Sequence, residues 1–107
     1  MKFLRYSFAP IALLLMAAAP NGQSIAQNGN NNGAMSCASC HGATFGGNPA
    51  LQAPALAGLP APTILTALNN FASNPSSNPM MHQVASALAP DERQAVATYL
   101  SGLKKAD

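Results

Sequence analysis

Apolar residues recur at helical spacing in three stretches of the chain, and no stretch alternates at the two-residue period of a strand. Ile64, Leu65, Leu68 and Phe71 fall at i, i+1, i+4 and i+7, which predicts a helix over 61–71. Pro62 fits its first turn, where a missing N–H does no harm. The run Asn74-Pro75-Ser76-Ser77-Asn78-Pro79 ends that helix. Met81, Val84, Ala85 and Leu88 then share one face of a short helix over 80–88. A last helix opens at Pro90, sets Asp91 and Glu92 at the positive end of its dipole, and runs a stripe through Val96, Tyr99, Leu100 and Leu103. Lys104 and Lys105 are expected at its negative end. Between 43 and 62, Gly46-Gly47, Pro49, Pro54, Gly58, Pro60 and Pro62 predict a loop, long enough to be functional rather than merely connecting. The expected class is all-α.

The N-terminal part follows a different logic. Lys2 and Arg5 precede an apolar run from Phe8 to Ala19, and Ser24-Ile25-Ala26 offers a small–x–small cleavage site. This is the layout of a secretory signal peptide. The alternative, an uncleaved anchor, needs more length: the run spans only ~18 Å as helix against a hydrocarbon core of ~30 Å. The expected organisation is therefore a leader over 1–26, a flexible polar lead-in over 27–33 (QNGNNNG) and one domain over 34–107. With the leader removed no membrane span is expected.

Composition sharpens the picture in two ways. Only 7 % of residues are charged, against about 25 % in ordinary domains. The formal charge of +2 comes from Lys2 and Arg5, since Arg93, Lys104 and Lys105 balance Asp91, Glu92 and Asp107. A nucleic-acid binder would need a basic stripe, which this sequence lacks. A domain of this size also buries little apolar surface alone and needs a staple, and two cysteines cannot build a disulfide scaffold.

Cys37-Ala38-Ser39-Cys40-His41 supplies the staple. It is C-x-x-C-H, the attachment signature of c-type haem. On a helix, positions i, i+3 and i+4 share a face, so two thiols can bond the two vinyl groups of one porphyrin while the adjacent imidazole reaches the iron. A redox dithiol would favour a βαβ setting, and a structural zinc site would need a second ligand pair. His41 needs its second ring nitrogen held, normally by a carbonyl, and Pro54 in the long loop is the candidate. The opposite face of the iron has Met35, Met80, Met81 and His82 as candidates. Met35 lies too close to Cys37 to cross over. Met81 shares the inward stripe with Val84 and Leu88, which favours it, with Met80 second. His82 is expected at an exposed haem edge or in solvent.

The segments CASCHG, APALAGL, TILTALNNF, PMMHQVASAL and PDERQAVATYLSGL, in this order over roughly 35–103, resemble the class I c-type cytochromes. The similarity is to small bacterial periplasmic monohaem members and to one half of the dihaem periplasmic cytochromes c. The resemblance implies a cytochrome c-like fold, short helices wrapped around one covalently bound haem c. It implies Cys37 and Cys40 as thioethers, His41 as proximal ligand, the Pro54 carbonyl as its orienting partner and Met81 as distal ligand. Tyr99 would pack where the last helix crosses the first. Two departures stand out. QNGNNNGAMS replaces the family's full helix before the haem motif, so the first helix should be shortened to one or two turns. Ala72-Ser73-Asn74 stands where a basic residue often meets a haem propionate.

The function expected is one-electron transfer in the periplasm by a carrier that is not an enzyme, with no catalytic residues. The alternative is a haem c electron-transfer subunit of a periplasmic dehydrogenase or oxidase complex. A haem-based ligand sensor or peroxidase-like enzyme would need a labile distal site. Redox partners of the implied kind are a membrane quinol–cytochrome c oxidoreductase, a terminal oxidase or a periplasmic dehydrogenase; no nucleic acid is expected.

Overall fold

A computed structural model describes residues 19–105. The charged start and most of the apolar run of the expected leader lie outside the described residues. The elements in order are α1 (Gly22–Asn28), α2 (Ala38–His41), a 3-10 turn (Pro49–Leu51), α3 (Ala61–Ser73), α4 (Pro79–Ser86) and α5 (Pro90–Ser101). Among the described residues there is no strand, only a lone bridge between Asn48 and Ala53.

Two helices, α1 and α4, start at an asparagine cap. The Asn21 carboxamide oxygen accepts from the Ser24 amide at 3.0 Å, and that of Asn78 accepts from the Met81 amide at 3.1 Å. Pro79 and Pro90 occupy first-turn positions of α4 and α5. The Glu92 carboxylate reaches back to the Ala89 amide at 2.8 Å, satisfying a donor at the mouth of α5.

The core joins Ile64 and Leu68 of α3, Val84 and Ala85 of α4, Leu88, and Val96, Ala97 and Leu100 of α5. These come from the predicted stripes, with Ala97 added; Leu65, Phe71, Met81, Tyr99 and Leu103 of the same stripes pack half-buried against them. Leu88 stays buried although α4 ends at Ser86. Arg93 closes the open carbonyl end of α4: its guanidinium donates to the Ala85 and Leu88 carbonyls, each at 2.8 Å, and to the Asn69 side chain at 3.0 Å. α5 ends at Ser101, so Lys104 and Lys105 lie beyond the helix rather than on its last turn.

The N-terminal boundary differs from the sequence expectation. Ile25 and Ala26, expected to leave with a leader, are buried in the core. α1 runs through the expected boundary at 26 and crosses α5. Gly22 makes the crossing possible, because a Cβ there would collide with the Ala95 backbone. Tyr99 lies at this crossing, where its hydroxyl accepts from the Gln27 carboxamide at 3.4 Å. The first helix is short, as expected, and ends within the first two residues of the Asn/Gly run.

That run is not a loose lead-in. The Asn30 side chain donates to the Ala87 carbonyl at 2.8 Å and to Glu92 at 3.1 Å. Its oxygen accepts from the Asn32 and Ala34 amides at 3.0 and 2.9 Å. One asparagine thus pins the turn to the junction of α4 and α5. Hydropathy periodicity cannot see such a clamp, because it is made by polar atoms of one residue.

This packing predicts that Gly22→Ala loses about 1–3 kcal/mol of stability, read as a lower denaturant midpoint. A chain beginning at Gln27 should fall further, having lost Ile25 and Ala26. Unchanged midpoints for both would contradict the α1–α5 crossing.

Candidate functional site

The site begins with the single turn of α2. The His41 amide donates to the Cys37 carbonyl at 2.9 Å, and the Gly42 amide to that of Ala38 at 3.1 Å. This turn brings the side chains of Cys37, Cys40 and His41 to one cleft. Both thiols are free. Burial pushes the Cys37 thiol up from its ordinary pKa, partly offset by a backbone hydrogen bond.

The loop after α2 folds back on His41. The Gly47 amide donates to the His41 carbonyl at 2.8 Å. Gly47 has φ +94, and a Cβ there would sit 2.9 Å from the Ala55 amide nitrogen, so glycine is required twice over. The Asn48–Ala53 bridge, with N···O distances of 2.8 and 3.0 Å, closes the tip of the loop. Pro54 therefore returns beside α2, and His41 Nδ1 lies 2.7 Å from its carbonyl oxygen. A carbonyl only accepts, so Nδ1 carries the proton and Nε2 keeps its lone pair. His41 is buried, at 7 % exposure.

Phe45 anchors the same loop and was not picked out by periodicity. It is buried with φ 60. Its carbonyl accepts from both Leu56 and Ala57, at 2.9 and 3.0 Å. Its ring meets Tyr99 edge-on, with centroids 6.2 Å apart at 85°. A lone aromatic in a Gly/Pro-rich loop is the only signal the sequence offered for it.

The cleft encloses about 260 Å³, far more than a few waters need at ~30 Å³ each. Cys37, Cys40, His41 and Pro54 line it, together with Ile64, Leu68 and Phe71 of α3, Met80, Met81 and Val84 of α4, and Val96 and Leu100 of α5. The lining is almost wholly apolar and contains no charged side chain. Met35 also lines the cleft and is largely exposed. Of the methionine pair, Met81 packs against the core whereas Met80 is 54 % exposed.

His82 departs from expectation. It is half-buried and does not line the cleft. Its Nδ1 lies 2.8 Å from the Phe71 carbonyl oxygen, at the end of α3.

This donor set fits a flat, apolar, iron-bearing group held covalently. Two adjacent thiols, an imidazole with a free Nε2 and a soft thioether surround an apolar cleft. A structural metal ion fits poorly: among the described residues no three His, Cys, Asp or Glu side chains converge on one point.

Comparison with known proteins agrees with that chemistry. A family model described as cytochrome c matches residues 19–104. A thiosulfate dehydrogenase electron acceptor from Stutzerimonas stutzeri is 40 % identical over 111 aligned positions, covering all of this chain and 51 % of that protein. The chain thus spans about half the length of this relative. Among solved structures, a thiosulfate dehydrogenase from Marichromatium purpuratum superposes with a TM-score of 0.74 at 36 % identity, covering 79 % of this chain and 18 % of that one. Reduced cytochrome c4 from Pseudomonas stutzeri superposes with a TM-score of 0.71 at 25 % identity, covering 78 % and 46 %.

Proposed function

Because the chain belongs to the cytochrome c family and carries one covalently bound haem c, we propose that it is an exported one-electron carrier with His41 and Met81 as the axial ligands. Cys37 and Cys40 form the thioether links. The observation that carries this reading is the 2.7 Å contact of His41 Nδ1 with the Pro54 carbonyl, which leaves Nε2 free to act as a ligand. The family match extends to residue 19, and α1 is part of the packed core. Both support removal of the leader on the N-terminal side of Gly22, so that the domain reaches the periplasm with α1 attached.

Bound haem supplies an Fe(II)/Fe(III) couple. The chain does the rest. The Pro54 carbonyl fixes the tautomer and ring plane of His41 and raises its basicity as a ligand. A thioether opposite a histidine raises the potential. Ile64, Leu68, Val96 and Leu100 keep water from the interior of the cleft. With His41 and Met81 both holding the iron, bound haem would have no open position for substrate, which favours electron transfer over sensing or peroxidase chemistry.

The partner supported best is a dehydrogenase of the thiosulfate-oxidising kind, since one relative is named as electron acceptor for such an enzyme. The alternative, a fixed subunit or domain of the dehydrogenase, draws on the match to a segment of a much longer thiosulfate dehydrogenase chain. The test is to mix reduced dehydrogenase with the oxidised haem-loaded protein. Reduction at rates matching turnover supports the carrier reading, and reduction only within a stable co-purifying complex supports the subunit reading.

Three outcomes follow from the site. Met81→Ala should abolish the weak far-red absorption of a thioether–ferric bond, lower the potential and let CO bind the ferrous protein. Met80→Ala should keep the band and the potential and still exclude CO, with a stability change within about 0.5 kcal/mol; loss of the band in Met80→Ala instead would shift the ligand by one residue. The Cys37→Ala/Cys40→Ala double variant should be unfolded or degraded after export, because this small domain needs its haem staple. A cooperatively melting helical apo-protein would refute that. Docking should depend weakly on salt, because no charged side chain lines the cleft and steering requires clustered charge. Electron-transfer rates at low and high ionic strength should differ by less than about tenfold.

A further inference from the structure

Proline at position 75 leaves the end of α3 with an unmet need. In a continuing helix the Phe71 carbonyl would accept from the amide four residues on, but that residue is Pro75, which has no N–H. The Asn74 amide reaches the same oxygen only at 3.4 Å. The shorter bond comes from elsewhere: the His82 ring nitrogen Nδ1, at 2.8 Å. As at His41, the carbonyl must accept, so Nδ1 of His82 carries the proton.

His82 sits in the first turn of α4, next to Met81. That turn has little else to hold it. Residues 73–80 are all exposed, so the connection from α3 buries nothing. The Asn78 cap is local and fixes the helix on itself, not its place in the fold. Val84 is the first fully buried residue of α4; ahead of it only Met81 packs, half-buried, against the core. Successive residues on a helix point about 100° apart, so His82 faces the end of α3 while Met81 faces the cleft.

We propose that His82 is a positioning residue: its hydrogen bond to the Phe71 carbonyl docks the first turn of α4 on α3 and so holds the Met81 sulfur over the haem site. This rests on the assignment of Met81 as distal ligand. The role concerns the strength with which the thioether competes for the iron, and His82 itself does not line the cleft.

The test is a titration of the ferric, haem-loaded protein with imidazole, which competes for the position opposite His41, followed by loss of the far-red thioether absorption. His82→Ala should bind imidazole about five- to tenfold more tightly, the scale of one lost hydrogen bond. Asparagine carries an amide N–H at about the place of Nδ1, so His82→Asn should stay within about twofold of the parent protein. His82→Gln, whose amide lies one carbon further out, should behave as His82→Ala. If His82→Ala does not accumulate, the comparison of His82→Asn with His82→Gln decides in the same way. Equal imidazole affinity in the parent, His82→Ala and His82→Gln overturns the proposal, as does a His82→Asn protein as weakened as His82→Ala. Failure of the underlying ligand assignment is read separately, as persistence of the far-red absorption in Met81→Ala.

Discussion

The hydrogen bond between His41 and the Pro54 carbonyl, 2.7 Å long, is the contact on which the rest of the molecule turns. It joins the one helical turn of the haem motif to the far end of an irregular loop, and most features of that loop exist to permit it. Gly47 takes a conformation with φ +94, Asn48 and Ala53 pair across the tip, and Phe45 is driven into the core beside Tyr99. Its carbonyl receives two amides on the return strand of the loop. The result is an imidazole with one nitrogen committed and the other free, at the mouth of an apolar cleft. A loop with no regular structure thus performs the most exacting orientation in the protein.

The opposite wall is built on different terms. α4 is a short helix held by polar contacts at both ends. Arg93 collects its last carbonyls and ties them to Asn69. His82 ties its first turn to α3. Between these clamps Val84 and Ala85 supply the buried anchor. In a chain with 7 % charged residues, the His82 ring and the Arg93 guanidinium go to backbone carbonyls at the ends of α3 and α4. The uncharged rim of the cleft follows from the same economy and suits docking through apolar contact.

Much of this was legible in the sequence, because three helices carry their apolar faces at clear helical spacing and C-x-x-C-H fixes the chemistry with few residues. The stripes at 64–71, 81–88 and 96–103 reappear in the packed core, and Pro54 comes to lie beside His41. What periodicity could not show were contacts made by single polar atoms. Asn30 converts an apparently featureless Asn/Gly run into a pinned turn, and His82 turns away from the cleft because Pro75 leaves a carbonyl open. The boundary expected at Ala26 falls inside α1. Ser24-Ile25-Ala26 has the small residues of a cleavage site, and small residues are equally what a close helix crossing uses, as Gly22 against Ala95 does.

The central claim is that a thioether from Met81 faces His41 across the haem. The most direct measurement is proton NMR of the reduced, haem-loaded protein with selectively labelled methionine methyl groups. The ring current of the porphyrin shifts an axial methionine methyl far upfield of every other methyl. The account predicts one such signal, assigned to Met81 by its loss in Met81→Leu, with the Met35 and Met80 methyls in the ordinary range. Assignment of the upfield signal to Met80, or a spectrum with no upfield methyl and two coordinated imidazoles, would contradict it.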